Sequence, residues 1–275
     1  MAIRMVFAKL LALALALVWV HAAHAGAGRE VHVVLIAGQS NAVGADTMSN
    51  SYVALDYPAG VMQIGRFDGN DMQLIPARYP LDHHSREPGH FGIDLQFSIE
   101  YLRANPGVQL VLVPAGRGST GFSTGQWGVG NPLYEDSVRR TNRALEEDNA
   151  RLVAILWAQG EKDVRQRITR EGYRAALDAQ LTAWRRDIRG AENVPIILGQ
   201  MVPAFIERRD RKGISQVIAE TPMRIANTYV VRGDGAEVHG AATPHDRRDD
   251  ELLHYSANGY RTMGARYAQV LLGLQ

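Results

Sequence analysis

Short apolar runs alternate with amphipathic stretches along this chain. Val31–Ile36, Val108–Val113, Leu152–Trp157 and Val194–Leu198 are rich in aliphatic residues and free of Asp, Glu, Lys and Arg. Such runs are expected of strands buried on both faces of a parallel sheet. Ile93–Ala104, Glu135–Glu147, Glu171–Ile188 and Ser256–Leu272 instead place apolar residues at helical spacing among charged ones. The alternation predicts a mostly parallel sheet with helices on both faces, whose right-handed crossovers bring the strand ends to one edge. Val61–Ile64 reads as a further short strand. Arg66–Gly92 and Gly199–Ile214, mixing Pro, Gly and charge, read as loops.

Composition narrows the picture. A chain of 275 residues, 46% hydrophobic and 21% charged, suffices for one sizeable core. Arg4 and Lys9 precede an apolar stretch from Leu10 to Val20 and the small-residue triplet Ala23-His24-Ala25. This is the pattern of a secretory leader over residues 1–25, cleaved before Gly26, followed by one domain over 26–275. Its apolar core is too short to span a bilayer comfortably, so a secreted or periplasmic protein without stable membrane association is expected. Losing Arg4 and Lys9 takes the basic count from 30 to 28 against 29 acidic groups, a balance that attracts no nucleic acid. There is no cysteine, which excludes disulfides and thiolate metal sites even though export would permit them.

Candidate chemistry follows the strand runs. After the first, Gly38-Gln39-Ser40-Asn41 presents Ser40 between small and polar residues, where a nucleophile and its own N–H can approach a substrate. The bland alternative is that Ser40 or Asn41 caps a helix. Near the C-terminus, Glu251 precedes His254 by three residues, supplying an imidazole base and a carboxylate to orient it. Asp250 is the alternative acid, and a Ser-His pair without an acid is a third possibility. Gly116-x-Gly118-x-x-Gly121 fits the dinucleotide fingerprint, but Phe122-Ser123-Thr124-Gly125 continues it as a loop rather than a helix, which argues against a nucleotide. Phe122 and Trp127 are read either as sugar-stacking faces or as core. Asp82, His83, His84, Glu87 and His90 fit no closed metal motif and are read as solvated loop residues. Arg165, Arg167 and Arg170 read as a solvated surface.

Taken together, Gly38-Gln39-Ser40-Asn41, Trp157-Ala158-Gln159-Gly160-Glu161 and Glu251-x-x-His254 resemble the blocks of the SGNH (GDSL-like) hydrolases, in the sialate O-acetylesterase-like branch that includes the acetylxylan esterases of carbohydrate esterase family six. The resemblance runs from about Val31 to Ala268. It implies a flavodoxin-like, three-layer doubly wound fold and removal of acetyl groups from O-acetylated sugars without metal or cofactor. By the same resemblance Ser40 is the nucleophile, His254 the base and Glu251 the acid. The oxyanion donors are then the N–H groups of Ser40 and Gly118 and the side chain of Gln159, with Gln39 and Asn41 near the substrate. Glu161 would brace the Gln159 loop, and Asp94 the helix it begins. Relatives carry two adjacent glycines where this chain has Gly118-Ser119. The alternatives are an SGNH esterase acting on a lipid or peptidoglycan ester, and a carbohydrate-binding relative without turnover.

Overall fold

The computed structural model describes residues 28–44, 56–86, 90–207, 211–239 and 252–275. Their centre is a seven-stranded sheet: β1 (Val31–Gly38), β2 (Val61–Ile64), β3 (Leu74–Pro76), β4 (Gln109–Pro114), β5 (Ala150–Ala158), β6 (Ile196–Gly199) and β7 (Thr228–Val231). The spatial order is β3-β2-β4-β1-β5-β6-β7. Every pairing is parallel except that of the edge strand β3 with β2, which makes the sheet mixed. β1 lies at the centre with all eight residues buried, the environment its apolar run anticipates.

Eight helices follow in chain order: α1 (Ser40–Val43), α2 (Asp94–Ala104), α3 (Pro132–Ala144), α4 (Glu161–Arg165), α5 (Arg170–Asp187), α6 (Pro203–Ile206), α7 (Lys212–Glu220) and α8 (Ala257–Leu272). They cover both faces of the sheet. On one, Tyr101 of α2 hydrogen-bonds His32 of β1 at 2.7 Å. On the other, Trp157 of β5 meets Trp184 of α5 edge to face at 5.5 Å. α8 lies against α2 at Gly264, where a Cβ would stand 2.3 Å from the Ile93 carbonyl oxygen. The caps follow expectation at two starts: Thr169 accepts from the Gly172 N–H, and Ser256 from that of Gly259.

The predicted strands and helices are present with no end moved by more than three residues. α3 starts at Pro132 rather than Glu135, because proline, lacking an N–H, is suited to a first turn. The loop readings need correction. Arg66–Gly92 contains β3, three residues too short to produce an alternation signal, and Gly199–Ile214 contains α6 and the start of α7. Asp82 and His83 are not solvated: both are fully buried. The Asp82 carboxylate accepts from the Arg66 and Phe67 N–H groups, and His83 Nδ1 accepts from the Gly116 N–H at 2.9 Å. Burial holds the His83 imidazole neutral, with its pKa lowered to about 3. His83 braces the turn after β4, and Asp82 the one after β2. Glu87 and residues 1–25 lie outside the described residues. Among those described, no helix is long and apolar enough to cross a membrane, and no group of three or more His, Asp or Glu is arranged to hold a metal ion.

Candidate active site

The C-terminal ends of β1, β4 and β5 lie side by side at one edge of the sheet, so the segments that follow them converge. β1 ends at Gly38, whose φ of +131° is open to glycine and strained for other residues. The chain then turns into α1, with the Gln39 N–H donating to the Ala158 carbonyl oxygen at 2.8 Å. Ser40 is the first residue of that helix. His254 arrives from the segment before α8, and its Nε2 stands 2.9 Å from Ser40 Oγ. Residues 214 positions apart thus bring a hydroxyl and an imidazole to hydrogen-bond distance, the arrangement that a nucleophile and its base require. Glu251, with Asp249 and Asp250, lies outside the described residues.

Gly118 comes off β4 beside the serine; a Cβ there would lie 3.9 Å from Ser40 Cβ. Neither the Ser40 nor the Gly118 N–H donates to a partner among the described residues. The first N–H groups of a helix lack intrahelical acceptors, so Ser40 offers such a donor by its position alone. Two unclaimed N–H groups flanking a serine hydroxyl are suited to a developing oxyanion. The cleft above them, about 320 Å³, is lined by Gln39, Ser40, Ser119, Glu161, Lys162, Arg165, Leu253 and His254.

Gln159 is not placed as the resemblance implies. Its side chain is buried, and its Nε2 donates to Asp163 Oδ2 at 2.6 Å and to the Thr120 carbonyl at 3.3 Å, while its Oε1 accepts from the Tyr173 hydroxyl. The amide is a brace, not a free donor to the cleft. Asp163, which sequence reasoning missed, organises this region. Its other bonds are from the Phe122 N–H at 3.0 Å and the Ser123 N–H at 2.7 Å, so one carboxylate joins α4 to the loop after Gly118. Gly121 is needed for that approach, since a Cβ would lie 2.5 Å from Asp163 Oδ2. The available signal was the four-residue spacing from Gln159 to Asp163.

Two further expectations, for Trp127 and Asn41, are corrected by burial. Trp127 is fully buried, its indole edge to face with Trp157 at 4.9 Å and its Nε1 donating to Thr120 Oγ1, so it presents no face to a sugar. Phe122 is partly exposed and packs against Tyr173 and Trp157. Asn41 is held by Glu161, the Leu253 carbonyl and the Tyr260 hydroxyl, facing inward rather than toward a ligand. Gln39 does line the cleft, with its Oε1 accepting from the Lys162 N–H at 3.1 Å. Glu161 braces Asn41 rather than Gln159, and burial raises its pKa to about 7. Asp94 opens α2 as expected, buried beneath the Tyr57 hydroxyl.

Ser119 carries a φ of +59°, in the left-handed region. Replacing it with glycine relieves that strain at the cost of a more flexible unfolded chain, and a net gain of about 0.5 kcal/mol is expected. Urea unfolding checks this: a Ser119→Gly midpoint at or below that of the wild type contradicts it.

A model of the family described as carbohydrate esterase, sialic acid-specific acetylesterase, matches residues 30–273. No curated protein matches by sequence. Among solved structures, NanS superposes with a TM-score of 0.72 at 20% identity, covering 90% of this chain and 98% of its own. A protein from Arabidopsis thaliana gives 0.70 at 19% identity, covering 88% and 98%. A carbohydrate acetylesterase from Xanthomonas citri gives 0.55 at 18% identity, covering 87% of this chain and 55% of its own. At these identities the structures speak for the fold; the family match extends over nearly the whole chain, and the chain belongs to the sialic acid-specific acetylesterase family of carbohydrate esterases.

Proposed function

We propose that this chain is a secreted or periplasmic serine esterase that removes acetyl groups from O-acetylated sialic acids. The observation carrying the serine mechanism is the 2.9 Å contact between Ser40 Oγ and His254 Nε2, beside two N–H groups that no described residue claims. His254 takes the Ser40 proton as Oγ attacks the acetyl carbonyl, and the oxyanion sits against the N–H groups of Ser40 and Gly118. Collapse breaks the ester bond, His254 returns the proton to the departing sugar hydroxyl, and Ser40 is left acetylated. Water, deprotonated by His254, then attacks the acetyl-enzyme and releases acetate, and Ser40 regains its proton.

Charge favours an acidic sugar over acetylated xylan. Lys162 lines the cleft that holds Ser40, so a sugar carboxylate there meets a cation. The leader over residues 1–25 supports export. The reading is tested by acetate release from O-acetylated sialic acid and from acetylated xylan, with sulfonyl fluoride treatment followed by peptide mass mapping. Adduct on Ser40 with loss of acetate release is expected; full activity after complete labelling elsewhere overturns it. In Lys162→Met the ratio of kcat/KM for acetylated sialic acid to that for acetylated xylan is expected to fall about tenfold, the worth of one charge-assisted hydrogen bond. An unchanged ratio removes Lys162 from substrate recognition.

A further inference from the structure

Ser40 and His254 belong to segments that share no strand or helix, yet their contact requires both to be held to a fraction of an ångström. Asn41, next to Ser40, supplies the connection. Its Nδ2 donates to Glu161 Oε1 at 2.7 Å and also to the carbonyl oxygen of Leu253, next to His254, at 3.1 Å. The Tyr260 hydroxyl donates to Asn41 Oδ1 at 2.9 Å, which turns the amide so that its NH2 faces Glu161. We propose that Glu161 is a positioning residue for the Ser40–His254 pair: through Asn41 it fixes the helix carrying the nucleophile against the segment carrying the base. This rests on the serine-esterase reading above.

Glu161 is poorly suited to serve stability alone. It is 1% exposed, and its Oε2 is buried without a hydrogen-bond partner among the described residues. An unsatisfied oxygen on a buried carboxylate is costly, whereas a neutral acceptor would hold Asn41 without that charge. The ionised form nonetheless makes the stronger bond to an amide donor. The groups around it act in opposing senses. Asn41 on α1, Arg165 and its own N–H on α4 favour the charge, while burial and Asp163 on α4 oppose it. Tyr173 on α5, Tyr255 before α8 and Tyr267 on α8 feel the same carboxylate, and Lys162 and His254 share its cleft. With its pKa near 7, Glu161 carries its charge above that pH and loses it below. Two ionisations therefore shape the acid limb of activity: His254 must be neutral and Glu161 charged.

The test uses the full chain, with 4-nitrophenyl acetate as substrate, Ser40→Ala as blank and thermal melts of each variant. In Glu161→Ala, kcat is expected to fall about 100-fold with KM within about twofold, as for a misplacement of reacting atoms that leaves binding intact. Glu161→Gln keeps an acceptor for Asn41, and its kcat is expected to fall only about tenfold. Its acid limb is expected to show one ionisation where the wild type shows two. Equal kcat in the two variants, or an unchanged limb in Glu161→Gln, overturns the proposal. Should Glu161→Ala fail to fold, Tyr260→Phe removes only the hydroxyl that turns the Asn41 amide. A kcat about fivefold lower at constant KM is expected there, and a wild-type kcat overturns the proposal. Turnover in Ser40→Ala within tenfold of the wild type, or no turnover in any form, defeats the esterase reading and the clamp with it; Ser40-dependent turnover with the wrong variant pattern defeats the clamp alone.

Discussion

Ser40→Ala is expected to lower kcat for acetyl ester hydrolysis by roughly 10⁵-fold or more, with the melting temperature within a few degrees of the wild type. In the proposed mechanism the hydroxyl 2.9 Å from His254 Nε2 is the nucleophile, and without it no acyl-enzyme forms. The proposed oxyanion donors are backbone N–H groups that survive the substitution, so a residual rate well above the uncatalysed one is expected from them and from binding. That residual separates loss of the nucleophile from loss of the fold. Steady-state hydrolysis of 4-nitrophenyl acetate checks the result. A variant within tenfold of the wild type would move the nucleophile away from Ser40.

Gly38→Ala is expected to cost about 4 kcal/mol or more, a large share of the stability of a single domain. Two causes combine. The φ of +131° is strained for alanine, and the new Cβ would fall 2.1 Å from the Ala158 carbonyl oxygen and 2.7 Å from its carbon. Neither neighbour can move, because Ala158 ends a strand paired along the length of β1 and accepts the Gln39 N–H. Gly125 is the natural control: its φ is also positive, at +65°, but nothing lies within 4 Å of a Cβ there. Gly125→Ala is expected to cost only about 1 kcal/mol. Urea unfolding of both variants decides the point, and similar losses at the two sites would show that conformation rather than contact sets the cost.

The sheet was legible because parallel strands buried on both faces leave uninterrupted apolar runs, and the edge where Ser40 and Gly118 meet follows from topology once those runs are recognised. β3 and β7 escaped for the opposite reason, being edge strands of three and four residues without enough chain to display a period. Within the site, Ser40 and His254 were identifiable because a nucleophile and base are defined by what they are. Gln159, Trp127 and Asn41 were not, because their roles depend on what surrounds them. An amide four residues before Asp163 is consumed by that carboxylate, and an indole among Trp157, Trp184 and Thr120 is core. Motif resemblance supplies a residue's identity and order; which way a buried amide faces is settled by partners elsewhere in the chain.

Of the four tryptophans in the chain, Trp19 lies in the segment proposed as a leader and the other three touch one another behind the loop that carries Gly118. In the mature form proposed above, all indole emission originates from this single cluster, joined to the loop by the Trp127–Thr120 hydrogen bond. That form would carry its own optical probe of the Gly118 loop, and changes there can be followed by intrinsic fluorescence without introducing a label.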